Sequence, residues 1–158
     1  MAKETKTNAL RKLDSMKIPY KEHIYTDTGA ISGTEIAAVL NEEPARVFKT
    51  LVTTGKSSEH YVFMIPVAEE LDLKKAAAAV GEKSISMLKS KELLGLTGYI
   101  HGGCSPIGMK KFFRTVIDHT ANDQPYIYCS GGRIGLQIEL KLSDLAKVIK
   151  FETADITV

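Results

Sequence analysis

The spacing of apolar residues along the chain predicts short helices set among many strands. Leu10, Leu13 and Met16 recur at helical spacing and Pro19 ends their run, which predicts an amphipathic helix over residues 7–17. The alanine-rich residues 71–80 predict another helix. Shorter helices are predicted at 36–40, with Ser32 and Glu35 spaced as a capping box, at 91–94, between the N-cap Ser90 and Gly95, and at 144–149, after the N-cap Ser143.

Runs of apolar, β-branched and aromatic residues predict the strands. Residues 47–54 and 60–67 flank a polar turn, so an antiparallel hairpin is the simplest connection between them. Further strands are predicted at 20–25, 84–87, 99–102, 113–117, 126–130 and 134–140. Together these elements predict an α+β (mixed α/β) fold, in which a curved, barrel-like mixed or antiparallel sheet is surrounded by short helices.

Composition narrows the class of protein. The 158 residues are 44% hydrophobic and 25% charged, which predicts one ordinary globular domain over residues 1–158. No apolar run reaches membrane-spanning length and residues 1–6 lack a signal core, so we expect a cytoplasmic protein with no membrane partner. The net charge of +2 is small for a dedicated nucleic-acid binder, and basic clusters such as Lys110 with Lys111 are interpreted as solvated faces. A monomer is the default expectation.

One lysine stands among apolar neighbours in a predicted strand. Side chains two apart share a face, so Lys49 lies with Val47 and Leu51, while Phe48 and Thr50 point the other way. Neither face suits a solvated ammonium group, because a buried lysine needs a partner or an anionic ligand. Two interpretations stay open from this pattern alone: Lys49 extends from an edge strand into solvent, or it holds an anionic substrate.

Two glycine-rich segments offer backbone amides that a ligand can approach closely. Residues 102–108 run Gly-Gly-Cys-Ser-Pro-Ile-Gly and residues 130–135 run Ser-Gly-Gly-Arg-Ile-Gly, although a Gly-Gly turn is most often only a hairpin. In the first segment, Cys104 near His101 is a candidate thiol nucleophile, and a small buried cysteine is its commoner interpretation. The two cysteines do not suggest a disulfide, and the scattered histidines lack zinc-site spacing, so no metal or other cofactor is predicted.

Several short sequences, taken in order, resemble one family. They are Val-Phe-Lys-Thr-Leu-Val at 47–52, Leu-Lys-Lys-Ala-Ala at 73–77, Gly-Tyr at 98–99, the segment 102–108, Ser-Gly-Gly-Arg at 130–133 and Asp-Leu-Ala-Lys-Val at 144–148. This set resembles the YbaK/EbsC family of free-standing aminoacyl-tRNA deacylases, which are related to the editing domain inserted in bacterial prolyl-tRNA synthetases. The resemblance extends over residues 7–156.

The resemblance implies trans-editing, that is, hydrolysis of the ester in mischarged Cys-tRNA(Pro) or in Cys-tRNA(Cys). A synthetic site discriminates poorly between side chains of similar volume, so a second, hydrolytic site supplies the missing selectivity. The implied partners are the 3' acceptor end of tRNA-Pro and, transiently, prolyl-tRNA synthetase.

By position, the resemblance also assigns a site. Lys49 corresponds to the essential lysine of the family, and Gly102 and Gly103 begin the Gly-x-x-x-Pro loop that ends at Pro106, so Lys49, Gly102 and Gly103 are the expected catalytic residues. Ser32 stands where some relatives have a bulkier aromatic residue. The expected substrate-binding residues are Tyr25, Ser32, Phe48, Thr50, Cys104, Ser105, Pro106, Ser130 and Gly131.

The mechanism implied by the resemblance needs no nucleophile from the protein. The thiol of the substrate attacks its own ester and leaves as a thiolactone, so Lys49 and the loop amides only position the substrate and stabilise the oxyanion. Three alternatives stay open: catalysis by the Cys104 thiol, a preference for alanyl or other small aminoacyl-tRNAs, and a non-catalytic module that binds the acceptor end and assists prolyl-tRNA synthetase.

Overall fold

The computed structural model describes residues 6–25, 30 and 33–158, which form the mixed α+β arrangement that the sequence predicts. The helices are α1 (Asn8–Ser15), α2 (Gly33–Val39), α3 (Leu73–Val80), α4 (Ser90–Thr97) and α5 (Leu142–Leu145), with 3-10 turns at Pro44–Arg46 and His119–Asp123. The strands are β1 (Lys21–Ile24), β2 (Phe48–Gly55), β3 (His60–Pro66), β4 (Ile85–Met87), β5 (Arg114–Asp118), β6 (Ile127–Ser130), β7 (Leu136–Leu140) and β8 (Phe151–Ala154). In this part of the chain, every helix is too short or too polar to cross a membrane.

The strands form two sheets that meet at the start of β2. The five-stranded sheet has the order β4-β2-β3-β5-β8; β2 is antiparallel to β3 and β4, which confirms the predicted hairpin, and β5 is parallel to β3 and β8. The three-stranded sheet, β1-β7-β6, is antiparallel. Val47 forms a parallel bridge with Tyr128 of β6 and so joins the sheets. Neither sheet closes on itself within the described ranges, so the predicted barrel-like closure is not confirmed.

Apolar side chains on both sheets hold β2 in place. Leu10 and Leu13 of α1 are buried in one cluster with Ile138 of β7 and Phe48 of β2. On the five-stranded sheet, the alanines of α3 pack in a second cluster with Phe63 of β3, and their small side chains let the helix approach the sheet closely. Burial of each large side chain in these clusters contributes about 1.5–3 kcal/mol. Packing in these two clusters therefore holds β2, the strand that carries Lys49, in place.

Polar side chains also join the three-stranded sheet to the segment that precedes β2. The Tyr128 hydroxyl lies 3.1 Å from a carboxylate oxygen of Glu42 and 2.9 Å from one of Glu139. Arg46 donates to Glu42 at 2.9 Å, and the His23 ring lies 2.9 Å from Glu139. Burial raises the pKa of Glu139, but the hydrogen bonds from His23 and Tyr128 outweigh it and leave that pKa below its usual value.

One predicted strand is wrong, and one strand was missed. Residues 99–102 form a loop rather than a strand, because Gly102 has a φ of +87° and the Tyr99 hydroxyl donates to the Ile107 carbonyl at 2.6 Å, which folds the segment back on itself. The edge strand β8 was not predicted. Its central residues, Glu152 and Thr153, are exposed and polar, so the sequence shows no apolar run there.

Several helix boundaries also differ from the prediction: α2 begins three residues earlier, at Gly33, and α3 two residues later, at Leu73. Helix α4 begins at Ser90, which is therefore not its N-cap, and it continues through Gly95 until Gly98 ends it in the left-handed conformation. Helix α5 starts two residues earlier than predicted and does not reach residue 149; its N-cap is Lys141, not Ser143. These differences leave the order of the elements around the site unchanged.

Candidate active site

The lysine singled out by the sequence lies on β2 of the five-stranded sheet. Lys49 pairs with Ile65 of β3 and is half-buried. Its ammonium group donates a long hydrogen bond, 3.4 Å, to the carbonyl of Val67. No carboxylate within the described ranges forms an ion pair with it. Because an ammonium group carries three donors, Lys49 retains the capacity to bind an anion.

Lys49 lines a concave site of about 420 Å³, which we call the Lys49 pocket. This volume is within the range of small-molecule sites. The walls come from β2, from the segment around β4 and α4, from the loop after α4 and from the ends of β6 and β7. The lining residues are Gly33, Ile36, Val47, Phe48, Lys49, Thr50, Leu51, Val52, Val67, Met87, Leu88, Ser90, Leu93, His101, Gly102, Cys104, Ser130 and Gln137.

The pocket brings together half of the residues that the sequence assigned to the site. They come from three distant parts of the chain, namely β2, the loop 102–108 and the end of β6, which only the fold places side by side. Their part in binding or catalysis stays a prediction. The residues concerned are Phe48, Lys49, Thr50, Gly102, Cys104 and Ser130.

Three other predicted residues lie behind the lining, where they hold the loops. The Gly103 amide donates to the Ile100 carbonyl at 3.0 Å, and the Gly131 amide donates to the first carbonyl of β7 at 2.9 Å. The Ser105 hydroxyl is fully buried and accepts from the amide two residues further on at 3.2 Å. Gly103, Ser105 and Gly131 thus shape the walls of the pocket.

The remaining predicted residues do not line the pocket either. Tyr25 is buried in a small cluster with Ile36, which does line it, so Tyr25 supports the wall from behind. Pro106 lines a different cavity. Ser32 lies outside the described residues, together with the capping box predicted there.

Two contacts fix the loop 102–108. The Tyr99 hydroxyl donates to the Ile107 carbonyl, and burial, with a smaller effect of the neighbouring Cys104, raises the pKa of Tyr99 to about 12. At Gly103 an added Cβ would lie 2.8 Å from the Cα of Arg133, so only glycine allows the two glycine-rich segments to approach so closely. The loop therefore presents a defined backbone to the pocket.

Two backbone amides of this loop are free to bind a ligand. Within the described part of the chain, the amides of Gly102 and Cys104 donate to no protein acceptor, whereas the Gly103 amide is already engaged. Both residues line the pocket. Fixed amides of this kind can stabilise the negative charge that develops on a carbonyl oxygen.

The Cys104 thiol is an unfavourable nucleophile. It is 7% exposed, and burial raises its pKa to about 12, with a hydrogen bond from Thr97 acting in the opposite direction. Only the thiolate is strongly nucleophilic, and at neutral pH almost none is present at such a pKa. No hydrogen bond joins Cys104 to His101 among the described residues, so no base is positioned to remove the proton.

Two polar atoms of the pocket wall have no hydrogen-bond partner among the described protein atoms: Thr50 Oγ1 and Gln137 Oε1. Gln137 is 5% exposed and lies opposite Ser130 across the β6–β7 pair. An unpaired buried polar group costs about 1–3 kcal/mol, so both atoms are candidates for contact with a ligand. The sequence analysis missed Gln137, whose signal was a lone amide side chain between Leu136 and Ile138.

The potential metal ligands that cluster in the described residues lie elsewhere. Asp118, His119 and Asp155 approach one another, but none of them lines the Lys49 pocket. The Asp118 carboxylate is already bound by the amide of Ile156 at 3.2 Å and by the hydroxyl of Thr120 at 2.6 Å. This cluster caps a turn, and the pocket offers polar groups rather than a metal site.

Comparison with known proteins identifies the family. Residues 29–148 match the model of the aminoacyl-tRNA editing domain. The chain is 43% identical over 155 residues to EbsC of Enterococcus faecalis (strain ATCC 700802 / V583), whose name proposes a Cys-tRNA(Pro)/Cys-tRNA(Cys) deacylase; the match covers 98% of this chain and 94% of that protein.

Solved structures share the fold. A proposed trans-editing enzyme for prolyl-tRNA synthetase superposes with a TM-score of 0.84 at 21% identity, over 98% of this chain and 99% of that one. The hypothetical protein APE2540 superposes with a TM-score of 0.87 at 20% identity, over 96% and 99%. Identities this low carry the fold alone, whereas the sequence matches carry the family. The resemblance to YbaK/EbsC proteins is thereby confirmed, and the chain belongs to the aminoacyl-tRNA editing domain family.

Proposed function

We propose that this protein removes cysteine from mischarged Cys-tRNA(Pro) by cleaving the ester at the 3' end. The observation that carries the proposal is the Lys49 pocket. Among the described residues, it brings together an ammonium group without an ion pair, two loop amides without an acceptor and two side-chain oxygens without a partner. Membership of the editing family and the name of EbsC support this substrate class.

In this proposal Lys49 holds the terminal adenosine. Its half-buried ammonium group has one weak protein acceptor, so a phosphate or ribose oxygen of the tRNA end can become its main partner. A charge-assisted hydrogen bond in a partly dehydrated pocket is about twice as strong as a neutral one. Lys49 thus fixes the position of the ester relative to the loop.

The loop amides stabilise the reaction. The thiol of the cysteinyl group attacks its own carbonyl carbon, which forms the C–S bond, and the amides of Gly102 and Cys104 donate to the carbonyl oxygen as it becomes negative. The C–O bond to the ribose then breaks, the ribose oxygen takes the proton lost by the thiol, and a thiolactone leaves. Water later opens the thiolactone to cysteine. No step requires a nucleophile from the protein, in agreement with the buried, protonated Cys104.

Gln137 orients the amino acid. Its unpaired Oε1 is an acceptor in the wall, and the donor that a cysteinyl ester offers is its α-ammonium group. This contact would satisfy a buried group that the protein leaves unpaired, and it would turn the thiol toward the carbonyl carbon. Loss of such positioning is expressed mainly in the chemical step.

A deacylation assay tests the proposal. Labelled Cys-tRNA(Pro), Ala-tRNA(Pro) and a seryl-tRNA of the same tRNA are incubated with and without the protein. We expect rapid loss of cysteine and slow loss of serine, because serine lacks the thiol. Faster release of alanine than of cysteine would reassign the substrate to small aminoacyl groups, and release of neither would reduce the protein to a binding module.

Selectivity for tRNA-Pro is proposed to come from a transient complex with prolyl-tRNA synthetase. The net charge of +2 gives little general attraction for RNA, so the protein alone should distinguish tRNAs weakly. Addition of the synthetase should increase the preference for Cys-tRNA(Pro) over Cys-tRNA(Cys). An unchanged preference would contradict this part of the proposal.

A further inference from the structure

A second cavity is lined in part by Pro106 and Gly108 of the loop 102–108 and has no part in the chemistry proposed above. It encloses about 450 Å³, and we call it the Phe112 groove. Lys12 of α1 and Lys150 before β8 line it together with Phe112, Pro106 and Val148. None of its ten lining residues is acidic. The groove thus combines apolar walls with positive charge only.

The positive charge of the groove is not neutralised by the protein. Lys12 and Lys150 are exposed, as are Lys110 and Lys111, which directly precede Phe112 in the chain. None of these four lysines forms an ion pair within the described ranges. Several cations around an apolar hollow favour an anionic ligand that extends over more than one of them.

The nearest acidic residues along the chain are occupied elsewhere. Asp14 is paired with Lys6, Asp144 is bound by Lys147 at 3.2 Å, and Glu152 by Arg114 at 2.8 Å. Their charges are therefore compensated by cations that do not line the groove. The nearby carboxylates therefore do not neutralise the positive charge of the groove.

An exposed aromatic ring completes the groove. Phe112 is 53% exposed, so its ring is accessible to a ligand. An open aromatic face flanked by lysines is the arrangement with which proteins bind single-stranded nucleic acid, because bases stack on the ring while phosphates contact the cations.

We propose that the Phe112 groove binds the single-stranded RNA that precedes the terminal adenosine of the substrate, with one base on Phe112 and phosphates at Lys12 and Lys150. The inference rests on the proposed function, which places the adenosine in the Lys49 pocket. The two sites share a wall, because Cys104 lines the pocket and Pro106 lines the groove. Cys104 and Pro106 are two residues apart, so their Cα atoms lie within about 7 Å of each other and the two cavities adjoin the same loop.

Binding of a fluorescent oligonucleotide with the sequence of the tRNA 3' end, measured by anisotropy against salt, tests the lysines. If Lys12 and Lys150 each contact a phosphate, the variant Lys12→Ala/Lys150→Ala flattens the slope of log affinity against log salt by about 1.4, which is about 25-fold in affinity per tenfold change in salt. The control Lys56→Ala/Lys74→Ala removes two exposed lysines that line neither cavity and should keep the wild-type slope. Equal slopes in the two variants would overturn the proposal.

Phe112 is tested separately, because stacking depends little on salt. Phe112→Ala should weaken binding of the oligonucleotide at least about fivefold at every salt concentration and leave the slope unchanged. Phe112→Tyr preserves the ring and should restore the affinity. Wild-type RNA affinity in Phe112→Ala, or lost affinity for prolyl-tRNA synthetase with unchanged RNA binding in the lysine variant, would assign the groove to another ligand and refute the inference.

A minimal substrate separates this inference from the proposed function. The cysteinyl ester of adenosine can occupy the Lys49 pocket but carries no RNA to reach the groove. We divide kcat/KM on Cys-tRNA by kcat/KM on this ester and compare the lysine variant with the wild type. The variant-to-wild-type quotient of this ratio should be about 25-fold lower at 0.1 M salt than at 1 M salt. Failure of the wild-type protein to cleave either substrate would refute the proposed function, whereas an unchanged ratio would refute only the role of the groove.

Discussion

Replacement of Lys49 by alanine should reduce activity strongly and stability only slightly. In the structure its ammonium group makes one hydrogen bond of 3.4 Å, to Val67, and no ion pair among the described residues. Loss of such a bond costs about 0.5–1.5 kcal/mol, and its length places Lys49 at the lower end of that range. We therefore expect Lys49→Ala to lower the free energy of unfolding by about 1 kcal/mol or less.

The effect on catalysis should be much larger. Removal of a single charge-stabilising donor from an active site typically lowers kcat about 100- to 1,000-fold, or about 2.7–4 kcal/mol. If Lys49 positions the tRNA end, its loss should reduce kcat/KM for Cys-tRNA(Pro) by at least about 100-fold, because positioning and charge are lost together. The predicted increase in the activation free energy is thus more than twice the predicted decrease in the free energy of unfolding.

Single-turnover deacylation and urea unfolding provide the two measurements on the same preparations. Lys56→Ala, an exposed lysine of the β2–β3 turn, serves as the matched control and should change neither value. Lys49→Arg retains the charge but not the compact ammonium, and we expect it to recover only part of the activity. A folded Lys49→Ala protein with wild-type kcat/KM would refute the assignment of Lys49 to the site.

Three further changes test the surroundings of the site. Cys104→Ala should keep most of the activity and the same pH–rate profile between pH 6 and 9, because the pKa of about 12 already holds this thiol protonated there; a lost inflection in that range would implicate an enzyme thiolate. Gly103→Ala places a Cβ 2.8 Å from the Cα of Arg133, so we expect a loss of about 1–3 kcal/mol in urea unfolding together with reduced activity, and unchanged stability would contradict the observed contact. Tyr128→Phe removes the hydroxyl shared by Glu42 and Glu139 and should cost about 1.5–3 kcal/mol at pH 7. Because the folded pKa of Glu139 is lowered, its stabilisation is complete above the unfolded pKa and disappears as the pH falls through the folded one, so the difference between Tyr128→Phe and wild type should narrow in acid; a difference that is constant with pH would exclude Glu139 as the partner.

The sequence pattern predicted the elements that carry Lys49 because local rules determine them. A polar turn between two apolar runs specifies the hairpin of β2 and β3. Strand alternation showed that the charged Lys49 has apolar neighbours on either face of the strand. The local sequence does not show whether β2 lies at the edge of the sheet, because tertiary structure determines which strands pair with it. The predicted barrel-like closure is not confirmed for the same reason, because closure depends on which sheet edges meet in the folded chain.

The finer features of the site depend on contacts between distant residues. Gln137 becomes notable only when the fold buries its Oε1 without a partner, which no local pattern reports. Likewise, the sequence does not show that the Gly103 amide is hydrogen-bonded while the Cys104 amide is free, because this depends on the turn that the loop adopts. The Phe112 groove unites residues 12, 112 and 150, which are far apart in the sequence, so no local pattern could predict it.

The position of β2 between the two sheets constrains how the protein can move. Val47 is bridged to Tyr128 in one sheet, and Phe48, the next residue, is already paired with Pro66 in the other. A hinge that separated the sheets would have to break pairing within a continuous, well-packed strand, so admission of the substrate should rely on the loops around the pocket. Hydrogen exchange should therefore show the paired amides of β2 opening only with global unfolding, while the loop 102–108 exchanges through much smaller fluctuations.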